Sequence, residues 1–303
     1  MQAAGIDEYD RRVLFSGSMP AIWNLLHGRK TTEPIPPPQL TTLDSDQRGW
    51  LIVTGTGIRT VGQLTIASIA WMRESDVVFY LVADPVAEEV IKHLNPEGAA
   101  SLISHYGEGL SRLESYEAMV QQILNSVRSG KKTCAAFYGH PGVFAYPSHE
   151  SIRRARKEGY VAFMLPGISA EDCLFADLGV DPAVNGCQSF EATDFLLHSR
   201  DVDTSSQLVL WQVGVVGDRT YRRAGYNVES VFPLLISRLC NLYGPEHVGF
   251  IYEAAILPCI APKIDQIRLG TLTPAQVNAV STLYVPPLCR KPVNRAVAAA
   301  MGC

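Results

Sequence analysis

From Trp50 onward the chain alternates short apolar runs with stretches of helical period, and few folds accept that grammar. Trp50-Leu51-Ile52-Val53 reads as a buried strand ending at Gly55-Thr56-Gly57. Residues 63–73 have helical periodicity, with Leu64, Ile66, Ala67 and Ala70 as the apolar set. Residues 76–82 form a second apolar run stopped by Asp84-Pro85, and residues 134–138 and 161–164 form two more. Strands without polar alternation, separated by helices, imply a parallel sheet covered on both faces. Residues 208–212 and 249–252 repeat the pattern less regularly, so an α/β protein of two lobes is expected, with the break near Pro166-Gly167. One helix start is closely specified. Ser111-Arg112-Leu113-Glu114 is a capping box, and the helix should run to about Arg128 and stop near Gly130. Its core stripe is Leu113, Val120, Ile123, Leu124 and Val127, while Arg112 and Tyr116, four apart, share a face of the first turn.

Several function classes are argued against by composition. The chain has 303 residues, of which 47% are hydrophobic and 18% charged, a globular balance. With 26 basic against 30 acidic residues the net charge is −4, which disfavours a nucleic-acid partner held through phosphates. No apolar run reaches the ~18 residues of a membrane span, and residues 1–30 lack the basic-then-apolar order of a secretory signal. A soluble, cytoplasmic protein is expected. Seven cysteines (Cys134, Cys173, Cys187, Cys240, Cys259, Cys289 and Cys303) contain no CxxC pair, which suits buried, reduced thiols. No histidine pair has metal-ligand spacing, so no metal is expected. Residues 1–47, with Pro34 and Pro36-Pro37-Pro38, read as a poorly ordered extension in which Ala21-Ile22-Trp23-Asn24-Leu25-Leu26 has room for one short amphipathic turn.

Four segments have the residue types of a site. The turn Gly55-Thr56-Gly57-Ile58-Arg59-Thr60-Val61-Gly62 follows a strand, and Asp84 sits where a ribose-binding acid would, but the third glycine comes two residues late for a dinucleotide fingerprint. Tyr138-Gly139-His140-Pro141-Gly142 follows another strand, where open α/β sheets bind ligands. Between Tyr106 and Tyr116, Arg112 is placed to ease a phenolate or hold an oxyanion. Last, Ser169 can cap a helix that Glu171 and Asp172 suit and Gly179 can end.

With these motifs in place, the chain resembles the tetrapyrrole-methylase superfamily, and within it the borosin peptide backbone α-N-methyltransferases of split type. The resemblance rests on GTGI at 55–58, SRLESY at 111–116, YGHPGVF at 138–144, LPGISAEDCLFADLG at 165–179 and FEATDF at 190–195. It continues through LWQVG at 210–214, YEAA at 252–255 and STLYVPP at 281–287. It implies a two-lobed α/β fold with the cofactor cleft between the lobes, so that the Gly55–Gly62 turn binds no dinucleotide. The implied boundaries are an extension at 1–47, lobes at 48–166 and 167–288, and a tail at 289–303. Also implied is S-adenosylmethionine bound by Tyr138, His140, Val143, Ala170, Gln212, Ala254, Ser281 and Thr282, with Tyr106, Arg112, Tyr116 and Tyr138 as the catalytic set. Either Tyr106 or Tyr116 is the expected base. Only 15 residues follow Leu288, too few for a clasp and a fused substrate, so the expected substrate is a separate ribosomal precursor peptide. A homodimer is expected, two enzyme chains acting on two precursor chains, with no nucleic acid and no membrane as partner. Two alternatives are a tetrapyrrole or other small-molecule methyltransferase of the same fold, and an inactive peptide-binding module.

Overall fold

The computed structural model describes residues 49–302 apart from positions 60, 61, 83, 108, 219, 223 and 224. The expectations for residues 1–47, the middle of the Gly55–Gly62 turn and Cys303 therefore lie outside the described residues. The chain divides into two compact units. The described residues up to Ala170 make up the first, together with Ile256–Pro258, and Glu171–Ala255 with the residues from Cys259 onward make up the second.

In the first unit the order is β1 (Trp50–Gly55), α1 (Ile66–Glu74), β2 (Val77–Leu81), α2 (Pro85–Leu94), β3 (Ala99–Ser101), α3 (Arg112–Arg128), β4 (Lys132–Phe137), α4 (Tyr146–Lys157) and β5 (Val161–Met164). The five strands form one wholly parallel sheet in the order β3-β2-β4-β1-β5. Alternate residues of β1 show why its run is continuously apolar. Leu51 and Val53 pack with Val120, Ile123 and Leu124 of α3, while Trp50 and Ile52 pack with Trp71 of α1 on the other face. Helices thus cover both faces, and two polar exceptions, Thr54 of β1 and Thr133 of β4, are buried with their hydroxyls bonded to Ser68 of α1 and Ser126 of α3.

Two details differ from the sequence reading. Helix α1 starts at Ile66, because the Thr65 hydroxyl caps it by accepting from Ser68 N–H at 3.1 Å. Its buried face is Ser68, Trp71 and Met72, not the expected Leu64, Ile66, Ala67 and Ala70. The deciding contact is aromatic: Trp71 meets Trp50 edge-on at 5.3 Å and Phe163 at 5.8 Å. In α3 the capping box forms, with Ser111 Oγ accepting from Leu113 N–H and Glu114 Oε2 accepting from Ser111 N–H, each at 3.2 Å. Leu113, expected in the core stripe, is instead 55% exposed. It sits on the first turn, ahead of Met119, where the buried stripe becomes continuous.

The second unit contains α5 (Ala170–Leu178, its first residue belonging to the first unit), β6 (Cys187–Glu191), α6 (Ala192–Leu197), β7 (Gln207–Trp211), α7 (Phe232–Tyr243), β8 (Val248–Glu253), β9 (Lys263–Arg268), β10 (Thr282–Val285) and α8 (Arg295–Ala300). Its sheet runs β6-β7-β10-β8-β9. Only the β6–β7 pair is parallel; the other three are antiparallel. That mixture is why the strand–helix grammar fades in this half. Phe195, Leu210, Phe232, Leu239, Ile251 and Leu283 anchor its core.

The described cysteines are all free thiols, but the expectation of burial fails for two of them. Cys134 and Cys173 are buried and Cys187 and Cys240 partly so, whereas Cys259 and Cys289, in irregular segments outside either sheet, are exposed. No described helix is long and apolar enough to cross a membrane.

Candidate functional site

In a parallel sheet the loops at the carboxyl ends of the strands all open on one edge, and the first unit gathers its site residues there. Three glycines make the loops fit. A Cβ on Gly55 would lie 2.2 Å from Gly139 O, and one on Gly167 would lie 2.7 Å from the same oxygen. The backbones after β1, β4 and β5 thus touch directly, and Gly57 and Gly139 exchange hydrogen bonds of 3.3 and 2.8 Å. The glycine turn is accordingly a packing device. Asp84, the other half of the dinucleotide reading, caps α2 by accepting from Ala87 N–H at 2.9 Å.

Tyr106 follows the short 3₁₀ turn after β3, and Arg112 and Tyr116 lie on the first two turns of α3. The rings of Tyr106 and Tyr116 meet edge-to-face at 6.3 Å. Burial, then the neighbouring Tyr116 and Tyr138 and a hydrogen bond with Tyr116, push the Tyr106 phenol far above its ordinary range. Burial also raises the Tyr138 phenol, with Tyr116 adding to the effect. Arg112 opposes both shifts. Tyr138 keeps 52% of its surface accessible, so its ring is open to solvent while its hydroxyl lies in the field of Tyr116 and Arg112. Three phenols and one guanidinium therefore share a single electrostatic neighbourhood. The structure brings together all four residues of the expected catalytic set.

His140 is oriented by its own loop. Gly142 N–H donates to His140 Nδ1 at 2.9 Å, which leaves the proton of the neutral ring on Nε2. Val143, three residues on from His140, is 38% exposed, and Ala170 opens α5 as the sequence reading expects, with Gly179 at φ +64 just beyond its end.

The remaining expected cofactor residues cluster within the second unit for a topological reason. Strand β10 is antiparallel to both β7 and β8, so its start lies beside their ends. That places Gln212 (after β7), Ala254 (after β8) and Ser281-Thr282 (before and at the start of β10) at one edge. Gln212 has φ 58° and ψ 34°, a left-handed conformation that costs a non-glycine residue about 1 kcal/mol or more. Ser281 is fully buried, and its hydroxyl is already committed: it accepts from Asn278 N–H at 2.9 Å and donates to Glu253 Oε1 at 2.6 Å. The same Glu253 oxygen accepts from Asn278 Nδ2 at 2.9 Å and Lys263 Nζ at 3.0 Å. Glu253 was not singled out in the sequence, although it lies inside the YEAA motif. Among the described residues no group of three or more His, Cys, Asp or Glu side chains could hold a metal ion.

Comparison with known proteins follows the same lines. The tetrapyrrole (corrin/porphyrin) methylase family signature matches residues 51–256. A methyltransferase/ribosomally synthesized cyclic peptide dendrothelin A precursor of Dendrothele bispora is 44% identical over 250 residues, 81% of this chain and 60% of that protein. The corresponding omphalotin A precursor of Omphalotus olearius is 41% identical over 259 residues, 84% of this chain and 62% of that protein. A type II borosin cyclic peptide precursor of Phlebiopsis gigantea is 42% identical over 82% of this chain. The chain thus spans about 60% of the first two relatives' length. Among solved structures, a uroporphyrin-III-C-methyltransferase of Thermus thermophilus superposes with TM-score 0.56 at 15% identity, covering 80% of this chain and 93% of that one. A cobalt precorrin-4 methyltransferase gives 0.55 at 14%, covering 81% and 98%. With its parallel first sheet, its mixed second sheet and a family signature over 206 consecutive residues, this chain belongs to the tetrapyrrole (corrin/porphyrin) methylase family.

Proposed function

We propose that this chain is an S-adenosylmethionine-dependent methyltransferase that α-N-methylates backbone amides of a ribosomal precursor peptide supplied as a separate chain. The observation that carries this reading is the grouping of Arg112 with Tyr106, Tyr116 and Tyr138. An amide nitrogen is a poor nucleophile because its lone pair is delocalised into the carbonyl. Its methylation needs a group to take the N–H proton and donors to hold the charge that develops on oxygen. A tetrapyrrole carbon activates itself and leaves such a set without a task. The relatives' names, which pair a methyltransferase with a ribosomal peptide precursor, support the peptide class of substrate.

The roles follow from the unequal phenols. Tyr106 and Tyr138, both pushed up by burial, stay protonated and donate. Tyr116, beside Tyr106, is the group we assign the substrate's N–H proton, which it takes up as the phenolate once its own proton has passed to solvent. Arg112 and the Tyr138 hydroxyl receive the carbonyl oxygen as it gains charge. S-adenosylmethionine, when bound, supplies an electrophilic methyl group, and the nitrogen–methyl bond forms as the carbon–sulfur bond breaks. An accessible tyrosine ring such as that of Tyr138 suits a sulfonium, and Gln212 holds a left-handed conformation of the kind found at ligand sites. Tyr138, His140, Val143 and Ala170, with Gln212, Ala254, Ser281 and Thr282, would hold the donor. A cytoplasmic homodimer is part of the same reading.

Co-expression with a candidate precursor, followed by tandem mass spectrometry, tests it. Methylene increments on backbone positions, lost in Arg112→Ala, are expected. An unmodified peptide with the methyl donor consumed on another substrate would move the protein to small-molecule methylation.

A further inference from the structure

Beyond the residues that the sequence singles out, one side chain of the first unit grips α3 at two consecutive positions. Tyr146, the first residue of α4, stacks its ring on Tyr116 with centroids 6.1 Å apart and planes 22° from parallel. Its hydroxyl donates to Glu117 Oε1 at 2.5 Å. The same carboxylate oxygen accepts from Arg154 Nη2 at 2.8 Å, and Arg154 Nε donates to Glu150 Oε1 at 2.5 Å. Tyr146 and Arg154 lie about two helical turns apart on α4, so Glu117 is held from both sides along one face. The Tyr146 bond and then Arg154 hold the Glu117 carboxyl below its ordinary range, so the acceptor stays ionised near neutral pH.

The arrangement fixes the one phenol whose aim matters most. Tyr116 is bounded edge-on by Tyr106 and face-on by Tyr146, which removes most of the freedom of its ring. Tyr146 also closes the loop that carries Tyr138 and His140. That loop enters α4 through Phe144, a non-glycine residue at φ 52°, and His149 Nε2 is 2.9 Å from Gly142 O. A single residue therefore links the helix bearing Arg112 and Tyr116 to the loop bearing Tyr138.

Resting on the methyl-transfer reading above, we propose that Tyr146, locked by Glu117 and Arg154, is a positioning residue that aims Tyr116 at the reacting amide and couples it to the Tyr138 loop. Tyr146 itself touches no reacting atom. The tests are Tyr146→Phe, which keeps the ring and loses the bond, Tyr146→Leu, which loses both, and Glu117→Gln. Arg153→Ala is the control, since Arg153 is 62% exposed and pairs with Glu150.

Three readouts separate positioning from plain stability: single-turnover methylation, calorimetric affinity for S-adenosylhomocysteine, and hydrogen exchange over residues 111–117. Tyr146→Leu should lower the turnover rate about tenfold or more. Its S-adenosylhomocysteine affinity should stay unchanged while exchange over 111–117 quickens. Tyr146→Phe and Glu117→Gln should fall between it and wild type, and Arg153→Ala should match wild type. Unaltered turnover and exchange in both Tyr146 variants, whatever their melting temperature, would overturn the proposal. A wild-type enzyme that methylates no peptide would overturn the functional reading alone. The exchange at 111–117 would then decide the link between Tyr146 and Tyr116.

Discussion

Three tyrosines around one arginine are chemically unequal because each has different neighbours. Desolvation penalises a phenolate on Tyr106 and Tyr138, and Arg112 works against both shifts; Tyr116, held ring to ring between Tyr106 and Tyr146, is the phenol assigned the substrate's proton. Tyr116→Phe is therefore expected to cost about a hundredfold or more in single-turnover methylation, as loss of a proton acceptor does. Tyr106→Phe should cost about tenfold, and both variants should bind S-adenosylhomocysteine as wild type does. Equal losses would remove the distinction between acceptor and donor. A second residue-scale effect lies in the loop after β7. Burial works to raise the carboxyl of Asp218, but bonds from Thr220, Asn227 and Arg222 prevail and hold it down at about 2, against 3.8 when unfolded. A depressed folded value stabilises the fold at pH above the unfolded value and loses that stabilisation as pH falls through the folded one. Asp218→Asn should thus lose roughly 2 kcal/mol at pH 7 and flatten the stability profile between about pH 4 and 2, as read by urea unfolding. Arg112 and Tyr116 were legible as a pair because four residues on a helix make neighbours. Tyr146 and Glu117 were not, since they are 29 positions apart and only the packing of α3 on α4 makes them partners.

Elements were legible where one physical signal dominated. Strands β1, β2 and β4 are almost wholly buried and β5, at the sheet edge, half-buried, and all four read as apolar runs, while α3 declares its own start through the capping box. Strand β3 is three small residues, and β9 (KIDQIR) is an edge strand whose charged residues face water, so neither has an apolar signature. Strand β10 lies within STLYVPP, a motif that the resemblance marks for ligand binding and not as a strand. What β10 does becomes clear from Glu253. That carboxylate joins the end of β8 to the Asn278–Ser281 turn before β10 and to Lys263 of β9, so one side chain fixes the edge where Gln212 and Thr282 lie. Burial favours its neutral form, but the Ser281, Asn278 and Lys263 bonds outweigh it and keep the carboxyl below its ordinary range. Glu253→Ala strands three donors at once. It should weaken calorimetric binding of S-adenosylhomocysteine about tenfold, equivalent to roughly 1.4 kcal/mol, while Lys263→Ala, which removes only the more exposed partner, should cost less. If the order were reversed, Lys263 and not the carboxylate would be the organising group.

At the scale of the molecule, the two units rest on different kinds of sheet, and their interiors should open differently. Cys134 lies on β4, the central strand of the first unit, with Ile52 of β1 on one side and Val78 of β2 on the other. It is fully buried, and that burial pushes its thiol up to about 12, so neither access nor ionisation favours reaction. Exposing it means separating a strand that is hydrogen-bonded on both edges and covered by helices on both faces, which is nearly the unfolding of the whole unit. Cys259 and Cys289 need no such event. With a water-soluble alkylating reagent at neutral pH, peptide mapping should show Cys259 and Cys289 modified first, Cys240 later, and Cys134 only at the rate at which the first unit unfolds. Denaturant should accelerate Cys134 labelling along the same curve as the loss of far-ultraviolet dichroism. Rapid labelling of Cys134 in native buffer would mean that β4 can leave its neighbours by local opening. The Tyr138 loop that β4 carries would then be a moving part of the site and not the rigid platform on which the assigned roles depend.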